Sequence, residues 1–209
     1  MKKMKKMVRA AVATGTVVTM MSAGLVMAND QSTWSQQINE GNLTVDIVDA
    51  SGESVVSPTV TMPAKTFSFE QQSSEAVFGV DTQRVRVINA TDAVNWSVSI
   101  AADDPSDTWT DGGTNSYSFN GTEENGRLTI NPQREGYDIS EVGSCSTDNI
   151  SAGSSSSFAS GTVDSITLLT AASAANFCQW EYQGAGLTQT IPAGQAAASY
   201  SITMVLSVV

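Results

Sequence analysis

The chain has 209 residues, with 21 acidic and 10 basic side chains, two cysteines and no histidine. Without histidine, Ser-His-Asp and Cys-His catalysis and the usual zinc ligand sets are excluded. The acidic balance excludes nucleic acid and anionic lipid as partners, because binding them needs Lys and Arg to displace condensed counterions; cations, cationic polymers or neutral glycan suit it.

Half of the basic charge sits at the start. Lys2, Lys3, Lys5, Lys6 and Arg9 precede an apolar run of small residues from Ala10 to Ala28 that ends Val26-Met27-Ala28, the pattern of a cleaved export-signal helix over residues 1–28. The run approaches the ~17–25 residues of a spanning helix, but its three threonines, two glycines and small-residue exit favour cleavage. The expected mature chain, 29–209, then has no membrane span and carries 21 acidic against five basic side chains, a net charge of −16. Asn29 stands where a lipoprotein would need cysteine.

From Leu43 onward, period-two alternation predicts half-buried strands. Leu43, Val45 and Ile47 alternate with Thr44 and Asp46; Phe67 and Phe69 bracket Ser68; Val85 and Val87 interleave with Arg84 and Arg86. Trp96, Val98 and Ile100 follow, then Leu128 and Ile130, Ile166 and Leu168, and a terminal stripe of Tyr200, Ile202, Met204, Leu206 and Val208. Turn signals lie between them, among them Asp111-Gly-Gly113, Asn120-Gly121 and Asn131-Pro132. The reading is all-β: a single antiparallel β-sandwich, Ig-like or jelly-roll-like, over 29–209. Residues 103–157, poor in large apolar side chains, read as a long loop-rich insertion.

Within that stretch Asp103, Asp104, Asp107 and Asp111 fall close together before Gly112-Gly113. Calcium takes six to eight oxygen ligands, which makes this run a candidate calcium site, although its spacing is not that of an EF-hand. Solvated carboxylates are the plainer reading. A glycosidase would need two acids at a set separation, one with a raised pKa, and no G-x-S-x-G nucleophile motif occurs. The chain therefore reads as non-enzymatic and without a cofactor, calcium apart. Cys145 and Cys178 are expected to form a disulfide in an oxidising exterior, stabilising the fold by roughly 3 kcal/mol through loop closure.

Three segments carry a family resemblance: Thr33–Leu43, Gln83–Ile100 with its Trp96-Ser97-Val98, and Gln189–Val208. Together they resemble the WxL-type surface domains of bacteria, exported β-rich proteins that associate non-covalently with the cell wall and carry two short Trp-x-Leu motifs on strands. The second motif is degenerate here, reading Met204-Val205-Leu206 without its tryptophan. If the paired tryptophans of the family bind peptidoglycan, this chain has one of them, Trp96. Read physically, a tryptophan alternating with Val98 and Ile100 belongs in a core and buries about 150–250 Å². Trp109, flanked by threonines in the acidic loop, is the better candidate for stacking on sugar.

The resemblance and the residues together imply an exported cell-surface structural or adhesive module, held non-covalently by wall glycan or other surface proteins. A second reading is a self-assembling fibre or surface-layer subunit, a homo-oligomer built by strand exchange along an edge such as 199–209. A third is an extracellular carbohydrate-active enzyme.

Overall fold

The computed structural model describes residues 35–174 and 176–209. The export signal over 1–28 lies outside the described residues. The chain divides into two units, Met1–Ile38 and Asn39–Val209. In the first, residues 35–38 are exposed and outside regular structure.

The second unit is all-β, its strands pairing antiparallel, and no α-helix occurs among the described residues. One four-stranded sheet has β1 (Leu43–Val48), β3 (Arg84–Asn89), β12 (Cys178–Gln183) and β8 (Asp138–Val142) in that spatial order. A second has β10 (Ser156–Ser157), β7 (Leu128–Asn131), β13 (Ala185–Ile191) and β2 (Gln72–Phe78). A third has β14 (Met204–Val208), β4 (Asn95–Ala102), β11 (Ser165–Ala172) and β9 (Ile150–Ala152). Strands β5 (Trp109–Thr110) and β6 (Ser116–Tyr117) form a small hairpin.

The first two sheets share their chain segments. The pairs β2 and β3, β7 and β8, and β12 and β13 each run from one sheet into the other and keep the same neighbours in both. At the crossing, Gly184 alone separates β12 from β13. Its φ is +92°, and a Cβ there would lie 2.7 Å from Tyr137 Cα, so the bend requires glycine.

Alternation explains most of the core. Val85 and Val87 on β3 and Trp96, Val98 and Ile100 on β4 point inward, and they join Trp180, Tyr182, Leu128, Ile130, Ile166 and Leu168 in one apolar cluster. The Trp96 and Trp180 rings, 5.2 Å apart, link the third sheet to the first. On β11 a bulge between Thr167 and Leu169 shifts the register, so that Leu168 and Leu169 are both buried and the alternation resumes on the other parity at Ala171.

Three expectations are corrected. Phe67 and Phe69 are not on a strand; they are 48% and 83% exposed and pack edge-to-face on each other at 5.0 Å. The segment between β1 and β2 that carries them contains Pro58 and Pro63 and touches the sheets through a few scattered hydrogen bonds, so it has no ladder partner. Residues 103–157 are not an insertion, because they contain β5 to β10 and supply Phe119, Leu128, Ile130 and Ala152 to the core. Their strands are short, and Asp, Asn and Ser side chains that accept hydrogen bonds from backbone N–H groups hold the turns between them, so the stretch reads as loop by composition. The terminal stripe pairs with β4 in the same sheet, but Ile202, Met204, Leu206 and Val208 are half-buried because β14 is an edge, and Tyr200 lies before the strand.

Cys145 and Cys178 are bridged, with Cα atoms 5.7 Å apart, tying the segment after β8 to the start of β12.

On the outer face of the first sheet, Glu181 is 6% exposed. Arg84 Nη1 donates to its Oε2 at 2.8 Å, Arg86 Nε donates to Oε1 at 3.1 Å, and Asp81 takes the other side of Arg84. Burial, the largest single influence, pushes the Glu181 carboxyl up, but the two guanidiniums together outweigh it and hold the group below its ordinary value. A depressed folded pKa contributes stability above the unfolded pKa, about 4.3, and that stability is lost as pH falls through the folded value. Glu181→Gln is expected to cost about 2–3 kcal/mol at pH 7, below the range for fully buried pairs because the arginines are partly solvated. It should also flatten the loss of stability below pH ~4, read by thermal melts across that range.

Candidate functional site

The β5–β6 hairpin places Trp109 directly opposite Tyr117. Their rings stack with centroids 6.1 Å apart and planes 10° from parallel, and Tyr200 meets Tyr117 edge-on at 5.1 Å. Hydrogen bonds between Thr110 and Ser201 in both directions, at 3.0 and 2.9 Å, bring the chain before β14 alongside the hairpin and so deliver Tyr200.

Polar contacts set these rings in place. Trp109 Nε1 donates to Gln189 Oε1 at 2.8 Å. Gln189 is 1% exposed on β13, and its Nε2 donates to Thr190 O at 2.7 Å, so the acceptor cannot swing away. Gln195 Nε2 donates to the Tyr200 hydroxyl, which donates in turn to Ala196 O, both at 2.7 Å. Burial, with a smaller contribution from Tyr200, pushes the Tyr117 hydroxyl up to about 12.

The three aromatics form one side of a groove of about 470 Å³, within the range of small-ligand sites. The 60–68 segment lines it as well, pinned where Ser74 Oγ donates to Pro63 O at 2.9 Å and Gly194 N donates to Ser68 O at 2.8 Å. Val60, Met62, Trp109 and Tyr200 also line an adjoining apolar cavity of about 280 Å³. Aromatic faces beside amide and hydroxyl groups are chemically matched to a sugar, whose C–H faces lie on rings while its hydroxyls find hydrogen-bond partners.

Of the two tryptophans singled out from the sequence, Trp109 lies in this groove and Trp96 does not. Trp96 is 3% exposed and packs on Trp180, inside the core.

Asp103, Asp104 and Asp107 of the candidate calcium run sit in the loop between β4 and β5, and Asp111 in the turn of the β5–β6 hairpin. Asp104 Oδ1 accepts from Ser106 Oγ at 2.7 Å and from Ser106 N at 2.8 Å, while Asp107 Oδ2 accepts from Asp104 N at 3.0 Å. Asp111 closes the hairpin turn, accepting from Asn115 Nδ2 at 2.6 Å and Gly113 N at 2.8 Å. Asp103 is exposed. These bonds, Ser106 foremost for Asp104 and Asn115 for Asp111, hold both carboxyls below the ordinary value. Among the described residues no three acidic, cysteine or histidine side chains converge as a metal site would require.

Tyr117, Tyr200, Gln189, Gln195 and Lys65 were not singled out from the sequence. One signal was available: Trp109 and Tyr117 lie at equal distances on either side of Gly113 in the Asp111-Gly-Gly113 turn, as the opposed residues of a hairpin do. No family model matches this chain, and no curated protein matches it.

Proposed function

We propose that this chain is an exported, non-catalytic surface module, a β-sandwich that holds cell-wall glycan non-covalently in the groove of Trp109, Tyr117 and Tyr200. The observation that carries the reading is the preset aromatic wall, with Gln189 fixing the Trp109 indole and Gln195 fixing the Tyr200 hydroxyl. Preset rings bind sugar without first losing side-chain freedom. The sandwich takes support from the Trp96–Trp180 contact between the third sheet and the first. The disulfide suits an oxidising exterior. The resemblance to WxL-type domains adds the wall as the surface, although it places the ligand at a different tryptophan, and the burial of Trp96 favours Trp109.

Retention of the purified protein on isolated cell walls tests the reading. Wild type is expected to be retained, and Trp109→Ala to lose at least tenfold in affinity, about 1.4 kcal/mol, with a smaller loss for Tyr200→Phe, which keeps the ring but frees it from Gln195. Absence of retention at every salt and calcium concentration overturns wall association. Unchanged retention of Trp109→Ala moves the site elsewhere.

A further inference from the structure

The charge on the groove is opposite in sign to that of the protein around it. Five basic side chains follow residue 28, and among them Lys65 is the single lysine. The four arginines are engaged: Arg84 and Arg86 by Glu181, Arg127 by Gly121 O at 3.1 Å and by Glu123, and Arg134 by Glu135 O at 3.2 Å. Lys65 makes no ion pair with any described residue, and it lines the groove. Among the described residues no aspartate or glutamate lines it, in a chain with 21 of them.

We propose that the groove recognises an anionic saccharide, with the sugar ring against the aromatic wall and its charged group on Lys65. The inference rests on the glycan-binding reading and names its ligand class. The faces of Trp109 and Tyr117 are electron-rich and repel an anion placed over them. The negative group must therefore lie off the rings, and Lys65, between the two anchored positions Pro63 and Ser68, is the one cationic side chain among the described lining residues. The acidic balance of the full chain, a net charge of −11, does not forbid this. At physiological ionic strength the Debye length is about 8 Å, so remote carboxylates are largely screened, whereas the lining contains none. Lysine acts as a compact point charge and takes carboxylate or phosphate alike. The shared chemistry is an anion on a sugar.

Calorimetric titration of the full chain with three probes tests the proposal: an oligogalacturonate, the neutral oligosaccharide obtained by reducing its carboxyl groups, and the same neutral oligosaccharide phosphorylated at the 6-positions. At least one charged probe is expected to bind fivefold or more tighter than the neutral one, and the better charged probe identifies the anion as carboxylate or phosphate. Lys65→Met should abolish that preference while leaving neutral binding within twofold, and Lys65→Arg should restore most of it. Lys65 is exposed on a segment outside the sheets, so neither variant threatens folding. A neutral probe that binds as tightly as both charged ones, or a preference that survives Lys65→Met, overturns the anionic assignment and leaves glycan binding standing. If no probe binds, or if Trp109→Ala binds all three as wild type does, the glycan reading of the groove fails as well.

Discussion

Removal of residues 199–209 is expected to lower the melting temperature by about 10 °C or more, or to convert the protein into an oligomer that borrows a strand. Strand β14 pairs with β4 from Met204 opposite Ala102 to Val208 opposite Val98, and Ser97 and Val209 exchange backbone hydrogen bonds at 2.7 and 3.0 Å beyond it. Full burial of an aliphatic side chain contributes about 1.5–3 kcal/mol. Ile202, Met204, Leu206 and Val208 are half-buried, so together they contribute about 3–6 kcal/mol on that scale, against a typical net stability of about 5–15 kcal/mol. At about 2–4 °C per kcal/mol for a protein of this size, the loss is large. It would also expose the β4 edge, a template for a neighbouring strand. Calorimetry with light scattering after gel filtration reads both outcomes. A truncated protein that remains monomeric with an unchanged melting temperature would show that the edge strand does not support the core.

Trp180→Ala is expected to cost about 3–5 kcal/mol, a fall of roughly 10 °C. Trp180 is fully buried, its ring lies 5.2 Å from Trp96, and its Nε1 donates to Ser146 O at 2.8 Å, beside the disulfide at Cys145. Losing the ring opens a cavity between two sheets and frees the segment that the disulfide anchors. Trp96→Phe should be much milder, under about 2 kcal/mol. The Trp96 Nε1 is buried without a hydrogen-bond partner among the described residues, so phenylalanine keeps much of the packing and removes an unsatisfied donor. Equal losses in the two variants would contradict this asymmetry.

Sequence reading succeeded where one face of a strand is buried and the other is not. Val85 and Val87 against Arg84 and Arg86, and Trp96, Val98 and Ile100 against Asn95, Ser97 and Ser99, show the alternation on the page and in space. It failed at Phe67 and Phe69, where the pattern is present but no strand lies alongside to complete a ladder. It failed also over 103–157, where short strands between hydrogen-bonded turns carry too few residues to display a period. The bulge in β11 is invisible in sequence, since the pair Leu168-Leu169 fits either parity. The arginines of β3 read as solvated from their alternation, yet they clamp Glu181 from a strand more than ninety residues away.

The groove divides in the same way. Trp109 was legible as an aromatic outside the main strand pattern, because a tryptophan between polar turn residues has no local core to enter. The terminal alternation puts Tyr200 on the same face as Ile202 and Met204, and the isolated pairing of Ser201 with Thr110 turns it toward the hairpin instead. By itself, the sequence determined the all-β class, the inward faces of β3 and β4, and the pairing of its two cysteines, all of which follow from local periodicity or from a count. Tertiary structure alone decided which strand forms an edge, and that Lys65 and three aromatic rings line one groove whose described lining holds no carboxylate. Those outcomes depend on contacts between residues tens of positions apart, and neither side-chain period nor composition encodes such distances.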